Sequence, residues 1–158
     1  MKFLLKENVK SLYEEYLVEN EYEKVVFKII GRKEIDEILE IYDMDDNLLV
    51  KLKKISYFGK TNFEIYFKDE LQVTIGEEIN LFKDIFYFEL NGWKLTYNEE
   101  NLIYIVTDIE DENVFLLRKP LEEILNYEIE VFKEEDVLGA VVISIVMYIY
   151  DKKNVEGD

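Results

Sequence analysis

The sequence contains no cysteine and no histidine. Disulfides, thiolate metal sites and thiol nucleophiles are therefore excluded, and so is the commonest general base. Alanine occurs once, at Ala140, and proline once, at Pro120. The strongest helix former is thus almost missing from the chain. Gly31, Gly59, Gly76 and Gly92 stand isolated, and none opens a helix within a βαβ pattern. Neither a phosphate-cradling loop nor a nucleophile elbow can be drawn through them. Positive charge is also scarce, with 19 basic against 36 acidic residues, a net charge of −17, and Arg32 and Arg118 as the only arginines. Nucleic acid binding needs clustered cations, and an anionic membrane surface would repel such a chain. Met1-Lys2-Phe3-Leu4-Leu5 meets Lys6 and Glu7 at once, so no signal peptide is expected and a cytoplasmic location is.

What the chain does have is apolar bulk. It is 158 residues long, 49% hydrophobic and 15% aromatic. That is too apolar for disorder and long enough for one packed domain over residues 1–158. No linker or low-complexity tract divides it. β-Branched and aromatic residues dominate, and they suit pleated surfaces. A recurring unit is a short strand, a polar tip and a second strand. One copy is Leu39-Glu40-Ile41-Tyr42, the tip Asp43-Met44-Asp45-Asp46-Asn47, then Leu48-Leu49-Val50-Lys51-Leu52-Lys53. Alternation predicts Leu48, Val50 and Leu52 inward, with Leu49, Lys51 and Lys53 outward. Another copy is Phe63-Glu64-Ile65-Tyr66-Phe67, Lys68-Asp69-Glu70, then Leu71-Gln72-Val73-Thr74-Ile75. Asp and Asn suit such tips because their side chains bond the nearby backbone. About twelve strands are expected on this pattern, near 3–6, 15–19, 22–30, 38–43, 48–54, 62–67, 71–76, 86–90, 93–98, 102–108, 113–118 and 126–133. Val9, Leu12, Tyr13, Tyr16 and Leu17 also fit helical spacing, so residues 9–17 remain open between helix and strand. Ile35, Ile38, Leu39 and Tyr42, and the segment after Pro120, read as short bends.

Residues 137–150 break the strand rhythm. Apart from the tyrosines, Ser144 is their one polar side chain. Asp136 is an expected N-cap, with Glu134 and Glu135 favoured by the helix dipole and Lys152 and Lys153 beyond the far end. Val141, Ile145 and Tyr148 lie on one side of such a helix, and Val142, Ile143 and Val146 make the other side apolar too. Fourteen helical residues span roughly 21 Å, short of the roughly 30 Å hydrocarbon core, so no transmembrane span is expected. They also exceed the usual strand length of about 3–10 residues. A helix that is apolar all round must be surrounded. The expectation is a rod enclosed by the chain's own strands, with Val141, Val142, Ile145, Val146 and Ile149 in the core and Gly139 and Ala140 allowing close approach near its start.

Short antiparallel strands followed by one wholly apolar C-terminal helix resemble the LURP-one-related family, which shares its fold with the tubby C-terminal domain and the phospholipid scramblases. The resemblance rests on Ile41-Tyr42-Asp43-Met44-Asp45-Asp46-Asn47-Leu48, on Glu64-Ile65-Tyr66, and on Tyr127-Glu128-Ile129 leading through Glu135-Asp136 into residues 137–150. It covers most of the chain, best at 39–75 and 126–150. It implies a mainly β fold, a twelve-stranded antiparallel barrel threaded by the terminal helix. Tubby relatives use cationic residues on the barrel wall to hold lipid headgroups.

Function must be argued from sites rather than from the fold. Asp43, Asp45 and Asn47 begin with calcium-loop spacing, but Leu48 and Lys54 stand where that loop needs glycine and glutamate. A hairpin turn is the expectation there, and likewise for Asp108-Ile109-Glu110-Asp111-Glu112-Asn113. No carboxylate pair is singled out for glycoside chemistry. The chain is therefore read as a non-enzymatic, soluble binding or scaffold module, without cofactor, metal or catalytic residues, for a protein or lipid ligand. One alternative is peripheral phospholipid headgroup binding through Lys51, Lys53, Lys54 and Lys60, interleaved with Tyr57 and Phe58. The bland reading of those lysines is a solvated strand face that deters edge aggregation. Another alternative is an acidic interaction protein for a basic partner.

Overall fold

A computed structural model describes residues 1–33, 37–57, 60–80, 83–87, 92–119 and 126–156. The chain forms β1 (Lys2–Glu7), β2 (Glu15–Asn20), β3 (Val25–Lys33), β4 (Glu37–Tyr42), β5 (Leu48–Tyr57) and β6 (Lys60–Phe67). β7 (Glu70–Asn80), β8 (Lys83–Tyr87), β9 (Lys94–Asn98), β10 (Ile103–Thr107), β11 (Asn113–Arg118) and β12 (Tyr127–Val131) follow. A 3-10 turn (Glu134–Asp136) then runs straight into α1 (Val137–Glu156). The strands make one antiparallel sheet in the order β8-β7-β6-β5-β4-β3-β2-β1-β12-β11-β10-β9. β1 joins the two halves, with Phe3 opposite Ile129 of β12 and Asn20 of β2. β8 and β9 are the ends of this order, and their Cα atoms come within 8 Å of each other.

Period-two alternation decides which residues meet the helix. Leu5, Tyr16, Val18, Ile29, Ile41, Leu52, Phe63, Ile75, Val106, Phe115, Leu117 and Tyr127 all point inward and are buried. α1 fills the space they enclose. Val141, Ile145 and Val146 are fully buried, and Val142 and Ile149 nearly so. Contacts reach α1 from well-separated strands. Tyr148 stacks edge-on with Tyr16 of β2 and Tyr127 of β12 at 5.4 and 5.3 Å. Tyr150 meets Phe63 of β6 at 5.6 Å, and Tyr104 of β10 hydrogen-bonds Asp151 at 3.3 Å. Residues on all sides of α1 between Ala140 and Tyr150 are therefore buried, with β2, β6, β10 and β12 reaching its C-terminal half. Ser144, buried on this rod, donates to the carbonyl of Ala140 at 2.6 Å, the usual way a helix hides a hydroxyl.

Three hairpins share one turn design. At Asn20, Asp43 and Asp108 the side-chain oxygen accepts from the backbone N–H groups two and four residues on. The fourth residue of each turn, Glu23, Asp46 or Asp111, is left-handed with φ of 62°, 61° and 61°. The strand pairing slips by one residue beside each turn, as expected for a bulged hairpin. The side-chain bonds replace the glycine such turns usually need.

Some expectations require correction. Residues 9–14 form neither helix nor strand: Val9, Leu12 and Tyr13 are 85%, 96% and 76% exposed. Tyr16 and Val18 bury themselves as strand residues, and that burial decides the matter. Leu48 is 45% exposed rather than inward, because the bulge between Ile41 and Tyr42 shifts its register. Asp136 ends a 3-10 turn instead of standing alone as an N-cap, and α1 continues past Lys152 to Glu156. Leu39 and Tyr42 belong to β4. The segment 120–125 and Ile35 lie outside the described residues.

Candidate functional site

The expected lysine surface does not assemble into one site. Lys51 and Lys53 alternate with buried Val50 and Leu52 and so project outward from β5. Lys51 stands opposite Glu40 of β4 and Tyr66 of β6, and Lys53 opposite Ile38 and Glu64. Lys54 falls on the opposite parity, beside Phe63, and pairs with Glu37 at 3.1 Å. Lys60 begins β6 opposite Tyr57; the side chains of Lys60 and Tyr57, and all of Phe58, lie outside the described residues. Elsewhere on this outer face Arg32 is bonded to Glu40. Carboxylates thus stand beside Lys51, Lys53, Lys54 and Arg32, with Glu40 shared between Lys51 and Arg32, and they offset much of the local positive field.

The two ends of the sheet differ sharply. Glu7 at the end of β1, Glu14 of the β1–β2 connection, the C-terminal half of α1 and Lys119, just after β11, meet at one end, here called the helix C-terminal end. There Asp151 accepts from Tyr104, from Lys119 at 3.1 Å and from Tyr127. The Lys119 ammonium lies over the Tyr97 and Tyr104 rings at 4.6 and 4.7 Å. Glu7 receives Tyr148 at 3.3 Å and Lys152 at 3.1 Å. Glu14 receives the Tyr16 hydroxyl at 2.7 Å, and a Cβ on Gly31 would overlap this glutamate. Burial and the facing carboxylates hold the Tyr16 and Tyr127 phenols far above their ordinary range. Among the described residues no buried side-chain polar atom lacks a partner. Among the described residues this cluster is satisfied by its own partners, and it marks what is here called the plugged end.

The helix N-terminal end is open. Antiparallel order brings the tips at 20–24, 43–47, 67–70 and 108–112 here, together with the turn at 132–136. In each of these segments carboxylates outnumber lysines. Each also carries an exposed large apolar side chain: Tyr22 at 77%, Met44 at 53%, Phe67 at 39%, Ile109 at 79% and Phe132 at 48%. At this end, where β1, β3 and the start of α1 meet, lies an open cavity of about 330 Å³. Its walls are Met1, Phe3, Val26, Phe27, Val137 and Leu138, and the exposed Glu134 and Glu135 complete its lining. The Met1 ammonium is fixed at this mouth by donating to the Val131 carbonyl at 2.9 Å.

Electrostatics at this end follow from hydrogen bonding and crowding. Bonds from Asn47 and Asp45 hold the Asp43 carboxyl below its ordinary value. Burial, then Glu135 and Asp108, push the Asp136 carboxyl up against the weaker pull of Lys133. The acidic tip 108–113 behaves as the solvated turn expected of it. Among the described residues no group of three or more acidic side chains is arranged to hold a metal ion. No described helix is long and apolar enough to cross a membrane.

Sequence reading found the tips but not their meeting point. Counting strands would have placed alternate tips at one end, whereas the cavity depends on how β1, β3 and the start of α1 pack. No protein-family model, curated protein or solved structure matches this chain.

Proposed function

We propose that this chain is a non-enzymatic binding module of LURP-one-related type, its sheet closing as a twelve-stranded barrel around α1. It acts through the open, acidic end on a basic protein partner. The observation that carries this reading is that every described tip at this end pairs an excess of carboxylates with an exposed apolar side chain, whereas the exposed Val9, Leu12 and Tyr13 at the other end stand in a charge-balanced segment. Opposite charge steers encounter and orientation, while desolvated apolar side chains supply affinity. The close approach of β8 and β9 supports closure of the sheet. Headgroup recognition by Lys51, Lys53, Lys54 and Lys60 is less well supported, because described carboxylates face the first three.

The test compares two double variants of equal charge change. Asp45→Asn with Asp46→Asn alters a tip at the open end, and Glu99→Gln with Glu100→Gln alters an exposed turn at the plugged end. Calorimetric titration with a cationic lysine oligomer should weaken for the first pair and stay unchanged for the second. Equal weakening by both pairs would reduce the effect to net charge and remove the reading.

A further inference from the structure

Three features outside the lysine face invite a role. The tyrosine and Asp151 network at the plugged end is internally satisfied and offers no room. The exposed side chains of the loop 9–14 have nothing beside them that specifies a partner. The cavity at the open end has both a shape and a charge signature.

We infer that this cavity is the seat for a single large apolar side chain, presented by a lysine- or arginine-flanked segment of a partner protein. The inference rests on the proposed basic-partner reading and adds the anchoring chemistry. A volume of about 330 Å³ suits one large aromatic or aliphatic side chain with its adjoining backbone. Phe3, Val26, Phe27 and Leu138 are partly buried and packed on the core, so the walls are fixed before anything binds. A preformed seat avoids the ordering cost that weakens adaptable surfaces. Glu134 and Glu135 line the mouth, and the tips at 20–24 and 43–47 stand over neighbouring strands. Anything entering therefore passes through a negative field, which favours flanking cations and rejects an anionic headgroup. Tyr22 and Phe132, exposed in the turns that precede β3 and α1, offer further apolar surface at this end, as a protein segment would use and a small solute would not.

The experiment uses two synthetic heptapeptides, each with six lysines, one with a central phenylalanine and the other with a central serine. At physiological salt the phenylalanine peptide should bind the full chain about tenfold more tightly, the scale of burying one large apolar group. Val26→Phe, which fills the cavity from its wall, should erase that advantage. Leu138→Gln, at a partly exposed wall position, should do the same and serves if the first variant unfolds. Glu134→Gln with Glu135→Gln should weaken both peptides alike. Equal affinity for the two peptides, or an advantage that survives both wall variants, would overturn the cavity seat yet leave the acidic-end reading standing. No binding of either peptide would overturn both.

Discussion

Ile145→Ala is the sharpest probe of the packing. Ile145 is completely buried at the middle of α1, with the sheet curled around it. Truncating a buried isoleucine to alanine costs about 2–5 kcal/mol, and more of that range applies where the surroundings cannot collapse. Strands tied to both neighbours by backbone hydrogen bonds have little freedom to close on a cavity, so the upper half of the range is expected. Against a total stability on the order of 5–15 kcal/mol this is a large fraction. For a domain of this size it corresponds to a melting-temperature drop of roughly 7–20 °C, at about 2–4 °C per kcal/mol. The assay is urea unfolding followed by circular dichroism, with Leu12→Ala at a 96% exposed position as the control. Leu12→Ala should fall within about 0.5 kcal/mol of the parent. Val142→Asp and Ile145→Asp go further, placing a charge where no partner exists, and neither should yield folded protein. An Ile145→Ala midpoint matching that of Leu12→Ala would refute the enclosed-helix reasoning.

The hairpins predict the opposite sign. Asp46→Gly and Asp111→Gly relieve left-handed backbone strain by more than glycine's extra chain entropy costs, and should each raise stability by about 0.5 kcal/mol in thermal melts. Asp136 has a raised carboxyl, so the stability it supplies is complete below its unfolded value of 3.8 and is lost as pH rises through the folded value. Asp136→Asn should therefore melt above the parent at neutral pH, with the gap closing in acid. Asp43 is depressed and works in reverse: its contribution is present above 3.8 and fades as pH falls, so Asp43→Asn should flatten the acid limb of the stability curve. In flotation with vesicles rich in anionic phospholipid the chain should stay with the unbound fraction; salt-sensitive co-flotation abolished by substituting Lys51 and Lys53 would reinstate headgroup recognition.

Much of this architecture was legible because the signals were local. Alternation around Val50 and Leu52, and the Asx residues Asp43 and Asp108, act over a few residues, and each lands where its chemistry directs; the turn at Asn20 was missed, since the strand expected from residue 22 begins only at Val25. The helix was legible for a different reason: a 137–150 segment without a polar face has to be sheathed. Residues 9–17 misled because Val9, Leu12 and Tyr13 match a helical period by coincidence, while the inward pair Tyr16 and Val18 answers to the partner strands. The lysines were visible as a run but their partners were not. Glu40, Glu64 and Glu37 lie on the strands next to β5, and which lysine each one faces depends on the hairpin register, which a bulge shifts by one residue. The cavity at the open end has the same origin, since it needs residues near 1, 26 and 138 to meet.

The absence of native cysteine makes the central claim open to direct chemical measurement. Single cysteines at Val141, Val142, Ile143 and Ser144 sample one full turn of α1, and all four native side chains are 3% exposed or less. Titrated with a thiol reagent under native conditions, all four should react only as fast as the whole protein unfolds. Rapid modification at any one of them would mean that one side of the rod faces solvent, and the sheet would not enclose it.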